Sequence, residues 1–190
     1  MKRLFALLVT VTFVASAAVC FAADVKAPAA APAAPAAAAP APPPPPPVAD
    51  KAGVKVSDWT AKLVDGGDVK SASLAGKPYA VVFVNSSCAA CRSELGELMN
   101  LQFRPDFAVY IGAVDIKPER VIATYRDTFK ITFPILDDSK FQVAKVFGIS
   151  FTPASVIVDG SGKVEAWSAG YTEETKAEIM KGFEKYLAKK

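Results

Sequence analysis

The chain has 190 residues, with 22 Lys and Arg against 19 Asp and Glu, and it contains no histidine. The absence of histidine excludes Ser-His and Cys-His catalysis, and with them the common histidine-containing metal sites. Because the Lys and Arg residues are scattered and form no basic stripe, the composition does not indicate nucleic acid as a partner.

Residues 1–22 have the layout of a secretory signal peptide. A short basic start precedes the apolar, uncharged residues 4–19, and small residues follow as far as Ala22. We expect cleavage after Ala22, which would release the protein into the periplasm. Two alternatives stay open: retention of the segment as an anchor on the outer face of the bacterial inner membrane, and lipidation of Cys20.

The composition of residues 23–49, rich in alanine and proline, predicts a disordered linker. Residues 26–48 hold ten of the fifteen prolines and no aromatic residue, so they cannot bury enough apolar surface to offset their ordering entropy. Proline at this density favours extended polyproline II, which suits a stiff spacer beside a membrane tether. An inert tail and a proline-rich ligand for another module are the alternatives. Residues 50–190 have the size of one domain.

The first predicted elements of that domain are strands and a helix. Asp65-Gly66-Gly67 lies between the strand-like segments 59–64 and 68–70 and indicates an N-terminal hairpin. Tyr79–Val84 is fully apolar, so we expect a strand that is buried on both faces. The remaining predicted elements are a helix from Ala89 to Phe103, a strand at 107–114, a helix that begins at Pro118, a short helix capped by Asp138 or Ser139 that ends at Gly148, strands at 154–158 and 164–168, and a closing helix capped by Thr172.

This order of elements predicts an α/β fold with a mixed sheet. A right-handed β-α-β crossover makes the first two central strands parallel, and the later hairpin adds antiparallel strands to the same sheet. A mixed central sheet flanked by helices on both faces, with an N-terminal hairpin extension, is the thioredoxin-like fold.

Cys88 and Cys91 form a C-x-x-C pair, and three interpretations compete for it. A metal site needs four ligands and the pair supplies two, with no second pair in the chain. A structural disulfide over two intervening residues closes so short a loop that it removes little unfolded-state entropy. Redox exchange needs two thiols close enough to form and resolve a mixed disulfide, and it is the interpretation we favour.

The pair lies where the apolar strand has ended and a helix begins. The first N–H groups of a helix lack intrahelical partners and the dipole is positive there, so both favour a thiolate at Cys88. Cys91, one turn later on the same side, can attack a mixed disulfide. We therefore expect Cys88 to be the attacking thiol and Cys91 the resolving thiol.

Two segments resemble one family. "LAGKPYAVVFVNSSCAACRSEL", residues 74–95, and "FGISFTPASVIVDGSGKV", residues 147–164, are similar to the TlpA/ResA-type thioredoxin-like (redoxin) proteins of bacterial envelopes. Those proteins are thiol-disulfide oxidoreductases, and the resemblance extends over residues 57–187. It implies protein thiols and disulfides as substrates, a membrane-bound electron donor as partner, and no cofactor.

The resemblance also implies roles for three further residues. Thr152-Pro153 matches the family's cis-proline site, where the backbone of the residue before the proline receives the substrate chain; an ordinary trans proline is the alternative. Glu94 matches an acidic residue three after the second cysteine, which tunes thiol acidity or relays a proton. Its spacing alone is equally compatible with a solvated helix glutamate.

Several positions depart from the family pattern. Ser87 stands where Trp is usual, Ala89-Ala90 lacks the usual proline, and Val82 lies near the position of the buried acid of cytoplasmic thioredoxins. These positions set redox potential and substrate shape, so they leave the direction of exchange open. By analogy we expect a reductase, and the resemblance allows apocytochrome c thiols, and so a cytochrome c maturation type, as one family-level possibility for its substrate.

Other functional classes are also compatible with parts of the chain. A peroxiredoxin-type peroxidase requires Pro-x-x-x-Thr-x-x-Cys, and Val81 and Asn85 occupy the two defining positions here. A copper-delivery module of related fold would use a histidine, which is missing. A non-catalytic adaptor would use the Pro/Ala segment for binding and leave the cysteines idle.

Overall fold

The computed structural model describes residues 51–188, so the predicted signal peptide and linker, residues 1–49, lie outside the described part. The strands in this part are β1 (Thr60–Leu63), β2 (Asp68–Lys70), β3 (Tyr79–Val84), β4 (Ala108–Ala113), β5 (Ile135–Asp137), β6 (Ala154–Val158) and β7 (Val164–Ala169). The α-helices are α1 (Ala89–Leu98), α2 (Glu119–Val121), α3 (Gln142–Val146) and α4 (Glu173–Leu187). Two 3-10 helices in the same part span Ser71–Leu74 and Met99–Phe103, and the second forms the last part of the helix predicted from Ala89 to Phe103.

All seven strands join one mixed sheet in the order β2-β1-β5-β4-β3-β6-β7. The central strands β3, β4 and β5 are parallel, while β6 pairs antiparallel with β3 and β7 antiparallel with β6. On the other side, β1 pairs antiparallel with both β2 and β5. The predicted α/β, thioredoxin-like architecture is confirmed.

The central strand β3 separates two apolar cores. All six of its residues are buried, as the uninterrupted apolar run predicts. Because side chains alternate along a strand, Ala80, Val82 and Val84 face one core, whereas Val81 and Phe83 face the other. The first core is closed by α1, α2 and α4, and the second by α3. Helices therefore cover both faces of the sheet.

Strand β5 is the one strand of residues 51–188 that the sequence pattern did not reveal. It has only three residues and follows directly after Pro134, so it carries too little alternation to be recognised as a strand. The strand is nevertheless placed firmly, because Ile135, Leu136 and Asp137 pair in parallel register with Ile111, Gly112 and Ala113. It connects the central strands to the N-terminal pair β1 and β2.

The helix that begins after β4 differs from the prediction. Pro118 precedes its first residue rather than being that residue, and α2 continues as a π-helix over Ile122–Asp127. The prediction assumed a period of 3.6 residues throughout. Wider π turns occur mostly as short segments at functional positions, and Tyr125 of this segment contacts the loop before α1.

The caps of the two later helices agree with the prediction in part. Asp138 accepts hydrogen bonds from the N–H groups of Val143 (2.9 Å) and Ala144 (2.8 Å), so it satisfies the start of α3. The N-cap position itself is taken by Phe141, and Ser139 does not cap the helix. Thr172 caps α4 as predicted, since its side chain accepts from the N–H of Thr175.

A glycine in β4 is required by the packing of the sheet. A Cβ atom at Gly112 would lie 2.5 Å from Cδ1 and 2.8 Å from Cε1 of Phe83, which pairs with it in β3. We therefore expect Gly112→Ala to lower the free energy of unfolding by about 1–3 kcal/mol, because the buried Phe83 ring must shift. Urea unfolding measures this change.

Gly96 in α1 provides the matched control. It is exposed and a Cβ atom there meets nothing within 4 Å. Gly96→Ala is therefore expected to be neutral or to stabilise the protein by up to about 1 kcal/mol through helix propensity. Equal effects of the two substitutions would show that the contact with Phe83 is not what requires glycine at position 112.

Candidate active site

The cysteine pair lies at the carboxyl end of β3, where α1 begins. Cys88 is the N-cap of α1, and its Sγ accepts a hydrogen bond from the N–H of Cys91 at 3.0 Å. The two sulfurs form a disulfide with an S–S distance of 1.99 Å and a Cα–Cα distance of 5.3 Å. The structure thus brings the two predicted cysteines together at the helix start.

The two sulfurs differ in their exposure to solvent. Cys91 is 0% exposed and belongs to the core beneath α1, whereas Cys88 is only partly buried. A bulky reagent or a substrate disulfide can therefore approach Cys88 alone. In the disulfide form the N–H of Cys91 points at the Cys88 sulfur, and a donor in this position favours a thiolate over a thiol.

Glu94 lies one turn after Cys91 and is not the solvated side chain that its spacing also allowed. It is 2% exposed, and the Ser155 hydroxyl donates a hydrogen bond to its Oε1 at 2.5 Å. Burial raises the pKa of Glu94 to about 7, with a further contribution from the negative charge of Glu97, while the bond from Ser155 opposes the rise. Glu94 can therefore gain or lose a proton near neutral pH.

Thr152 and Pro153 lie immediately before β6, next to the end of β3. The Thr152–Pro153 peptide bond is cis, as predicted. Phe83 and Ala154 are paired in the sheet, so the residues that follow β3 and those that precede β6 meet at one edge. A direct bond joins them there, since Asn85 Nδ2 donates to Thr152 Oγ1 at 2.8 Å.

Several polar residues of this site were not anticipated from the sequence. Ser155 could have been noticed as the one hydroxyl in the otherwise apolar strand β6, whose five residues are all buried. Asn85 follows directly after strand β3, and Asp115 lies just beyond the end of the parallel strand β4. Polar groups at the carboxyl ends of parallel strands meet at the same edge of a sheet, which was an available signal.

Asp115 and Tyr125 hold the loop between β3 and α1. Asp115 Oδ2 accepts from the N–H of Ser86 (3.1 Å) and from its hydroxyl (2.5 Å). The Tyr125 hydroxyl donates to the carbonyl oxygens of Asn85 (2.9 Å) and Cys88 (3.4 Å). Burial raises the pKa of Tyr125 to about 12, so it remains a protonated donor at physiological pH.

Within residues 51–188, no group of three or more His, Cys, Asp or Glu side chains is placed to hold a metal ion. Of the helices in the same residues, none combines the length and the apolar character needed to cross a bilayer.

Comparison with known proteins relates this geometry to a family. The sequence profile of the AhpC/TSA family matches residues 52–167. The chain is 23% identical to the thiol-disulfide oxidoreductase ResA of Halalkalibacterium halodurans over 133 residues, covering 68% of this chain and 76% of ResA. It is 26% identical to the sporulation thiol-disulfide oxidoreductase A of Bacillus subtilis over 114 residues, covering 57% of this chain and 68% of that protein.

A solved structure shows a similar arrangement. The thiol:disulfide interchange protein of the thioredoxin family from Chlorobium tepidum superposes with a TM-score of 0.58 at 28% identity, covering 74% of this chain and all of that chain.

Proposed function

The chain belongs to the AhpC/TSA family, and from that premise we propose that this thiol-disulfide oxidoreductase acts as a reductase of protein disulfides in the bacterial envelope. The observation that carries the proposal is the asymmetry of the cysteine pair. Cys88 is the partly exposed N-cap of α1, while Cys91 is fully buried behind it with its N–H on the Cys88 sulfur.

The reaction begins with the reduced pair. Cys88 Sγ, as a thiolate, attacks a substrate disulfide, forms a mixed disulfide and releases one substrate thiolate, which takes a proton from solvent. The Cys91 thiolate then attacks Cys88 Sγ, which closes the intramolecular disulfide and releases the second substrate thiolate. Two electrons pass to the substrate, and a donor dithiol must return them before the next turnover.

Glu94 assists the second step in this mechanism. Cys91 is buried and cannot pass its proton directly to water, so a nearby base is required. Glu94 is buried one turn along α1, and its pKa of about 7 makes it a proton acceptor of suitable strength near neutral pH. The Ser155 hydroxyl fixes the orientation of its carboxyl group.

Thr152 and Pro153 serve as the substrate-binding segment in this proposal. The bond from Asn85 to Thr152 supports this role, because it places the segment beside the loop that carries Cys88. A substrate chain that pairs with the Thr152 backbone would present its sulfur to Cys88. The exported location, the membrane tether and a membrane-bound electron donor complete the proposal and rest on the predicted signal peptide and linker.

The reduction potential of the Cys88–Cys91 pair tests the direction of exchange. For a reductase we expect a value near that of thioredoxin, about −270 mV, measured by equilibration with glutathione or dithiothreitol buffers. A value near that of DsbA, about −120 mV, would assign an oxidant instead. Peroxide consumption far above that of free cysteine would favour the peroxidase alternative, and tight Cu(I) binding without disulfide exchange would favour copper handling.

A further inference from the structure

Asn85 connects the two sides of the candidate active site through both ends of its side chain. Its Nδ2 donates to Thr152 Oγ1 at 2.8 Å. Its Oδ1 accepts from the N–H of Ser87 at 3.0 Å and from the Ser87 hydroxyl at 2.9 Å. One amide group therefore binds the residue before Cys88 and the residue before Pro153 at the same time.

The main chain of Asn85 is fixed as well. Its carbonyl oxygen accepts from the hydroxyl of Tyr125, which is fully buried and also contacts the carbonyl oxygen of Cys88. A residue held through its side chain by Thr152 and Ser87 and through its carbonyl oxygen by Tyr125 can fix the distance between the groups it bonds. A hydrophobic residue at position 85 would leave the Ser87 and Thr152 groups to find other partners.

We propose that Asn85 is a positioning residue that sets the distance between the Cys88 loop, residues 85–88, and the Thr152–Pro153 segment, and thereby favours extended polypeptide disulfides over small ones. The space between these two segments is called the groove. The inference rests on the proposed function. A polypeptide substrate must touch both sides of this groove, since its backbone meets Thr152 while its sulfur meets Cys88. A small disulfide needs only Cys88.

The size of the effect follows from the bond between Asn85 and Thr152. Loss of one such hydrogen bond changes an equilibrium constant on the order of fivefold to tenfold when it leaves one partner unbonded. The loss is expected in the apparent KM for a polypeptide disulfide, because the bond orders the groove before the substrate binds. The chemical step at Cys88 depends on the N–H of Cys91, which Asn85 does not contact.

The test compares two disulfide probes with dithiothreitol as electron donor. The first is a peptide of about a dozen residues with one internal disulfide, and the second is hydroxyethyl disulfide. Asn85→Ala and Thr152→Val are each expected to raise the apparent KM for the peptide about fivefold more than for hydroxyethyl disulfide. Thr152→Ser keeps the hydroxyl that accepts from Asn85, so its apparent KM for the peptide is expected to rise much less than that of Thr152→Val.

A double variant separates a shared bond from two unrelated defects. Because both substitutions remove the same hydrogen bond, Asn85→Ala combined with Thr152→Val should raise the ratio of the two KM values little beyond either single variant. Thr132→Val is the matched control: it also removes a threonine hydroxyl that bonds an amide side chain, here Gln102 at 3.0 Å, but before β5 at the opposite edge of the sheet. It should leave both KM values unchanged.

The outcomes distinguish this inference from the proposed function. An active wild-type protein whose variants have KM values that rise equally for both probes, or rise for neither, would overturn the role of Asn85 and leave the assignment as an oxidoreductase intact. Additive losses in the double variant would also overturn it. A wild-type protein that exchanges disulfides with neither probe would overturn both. Urea midpoints of all variants verify that they fold.

Discussion

Replacing Cys88 by serine is expected to lower the rate of disulfide exchange with a protein substrate by roughly a thousandfold or more, because the attacking sulfur is lost. Replacing Cys91 by serine is expected to have a different outcome. Cys88 still attacks and captures the substrate, but no second thiol releases it, so a mixed disulfide accumulates. Mass spectrometry after a non-reducing gel detects this covalent complex.

The two serine variants act as controls for each other. Cys88 is a partly exposed N-cap, a position that serine also suits, so the urea midpoint of Cys88→Ser should lie within a few tenths of a molar unit of that of the reduced wild-type protein. Cys91 is fully buried among apolar side chains, so the added hydroxyl of Cys91→Ser should lower the urea midpoint. The covalent complex is therefore expected from the less stable of the two variants, so low stability cannot explain its absence from Cys88→Ser. A stable complex formed by Cys88→Ser and not by Cys91→Ser would reverse the assignment of attacking and resolving thiols.

Replacing Glu94 by glutamine is expected to change how stability depends on pH. The pKa of Glu94 is raised from 4.5 to about 7 in the folded protein, so the folded state binds the proton more tightly than the unfolded state. The stabilisation is fully present below pH 4.5, falls as the pH rises towards 7, and is lost above that value. Over this range the wild-type protein should lose about 3 kcal/mol that the glutamine variant does not lose.

Urea unfolding of the oxidised protein at pH 4, 6 and 8 measures this difference without interference from free thiols. The amide oxygen of glutamine can still accept from Ser155, so the local packing is preserved. Glu178→Gln, at an exposed position of α4, should run parallel to the wild type at every pH. A constant difference between wild type and Glu94→Gln would mean that Glu94 keeps an ordinary pKa.

The same substitution should alter the reactivity of the reduced protein. The rate of alkylation of Cys88 follows the titration of its thiol. A second titrating group that interacts with this thiol, here Glu94, adds a second step to the profile of rate against pH, and the two steps belong to the pair. In Glu94→Gln we expect a single step for alkylation of Cys88 by iodoacetamide. An unchanged profile would remove Glu94 from the mechanism that we propose.

The local elements could be predicted from the chain because their signals are local. The uninterrupted apolar run of β3, the spacing of Cys91, Leu95 and Leu98 in α1, and Thr172 at the start of α4 each depend on a few neighbouring residues. Strand β5 was missed for the converse reason. Its three residues pair with β4, and this pairing, rather than any pattern of their own, makes them a strand.

The contacts that define the candidate site could not be predicted in this way. Ser155 and Glu94 are 61 positions apart in the chain, and Asn85 and Thr152 are 67 apart. Sequence spacing placed Glu94 on the same side as Cys91 but could not decide whether water reached it. Burial by β6 decides that question, and burial is a property of the assembled sheet.

The alignment of β6 with β3 has a consequence for folding errors. Val82 pairs with Ser155, and Ser155 faces the core beneath α1. If β6 slid by one residue, every side chain would turn to the opposite layer, and Pro153 would move by about 3.3 Å along the strand. Glu94 would then lie in the apolar core without the hydrogen bond that the Ser155 hydroxyl donates. The hydrogen bond between Ser155 and Glu94 therefore also disfavours a register shift of β6.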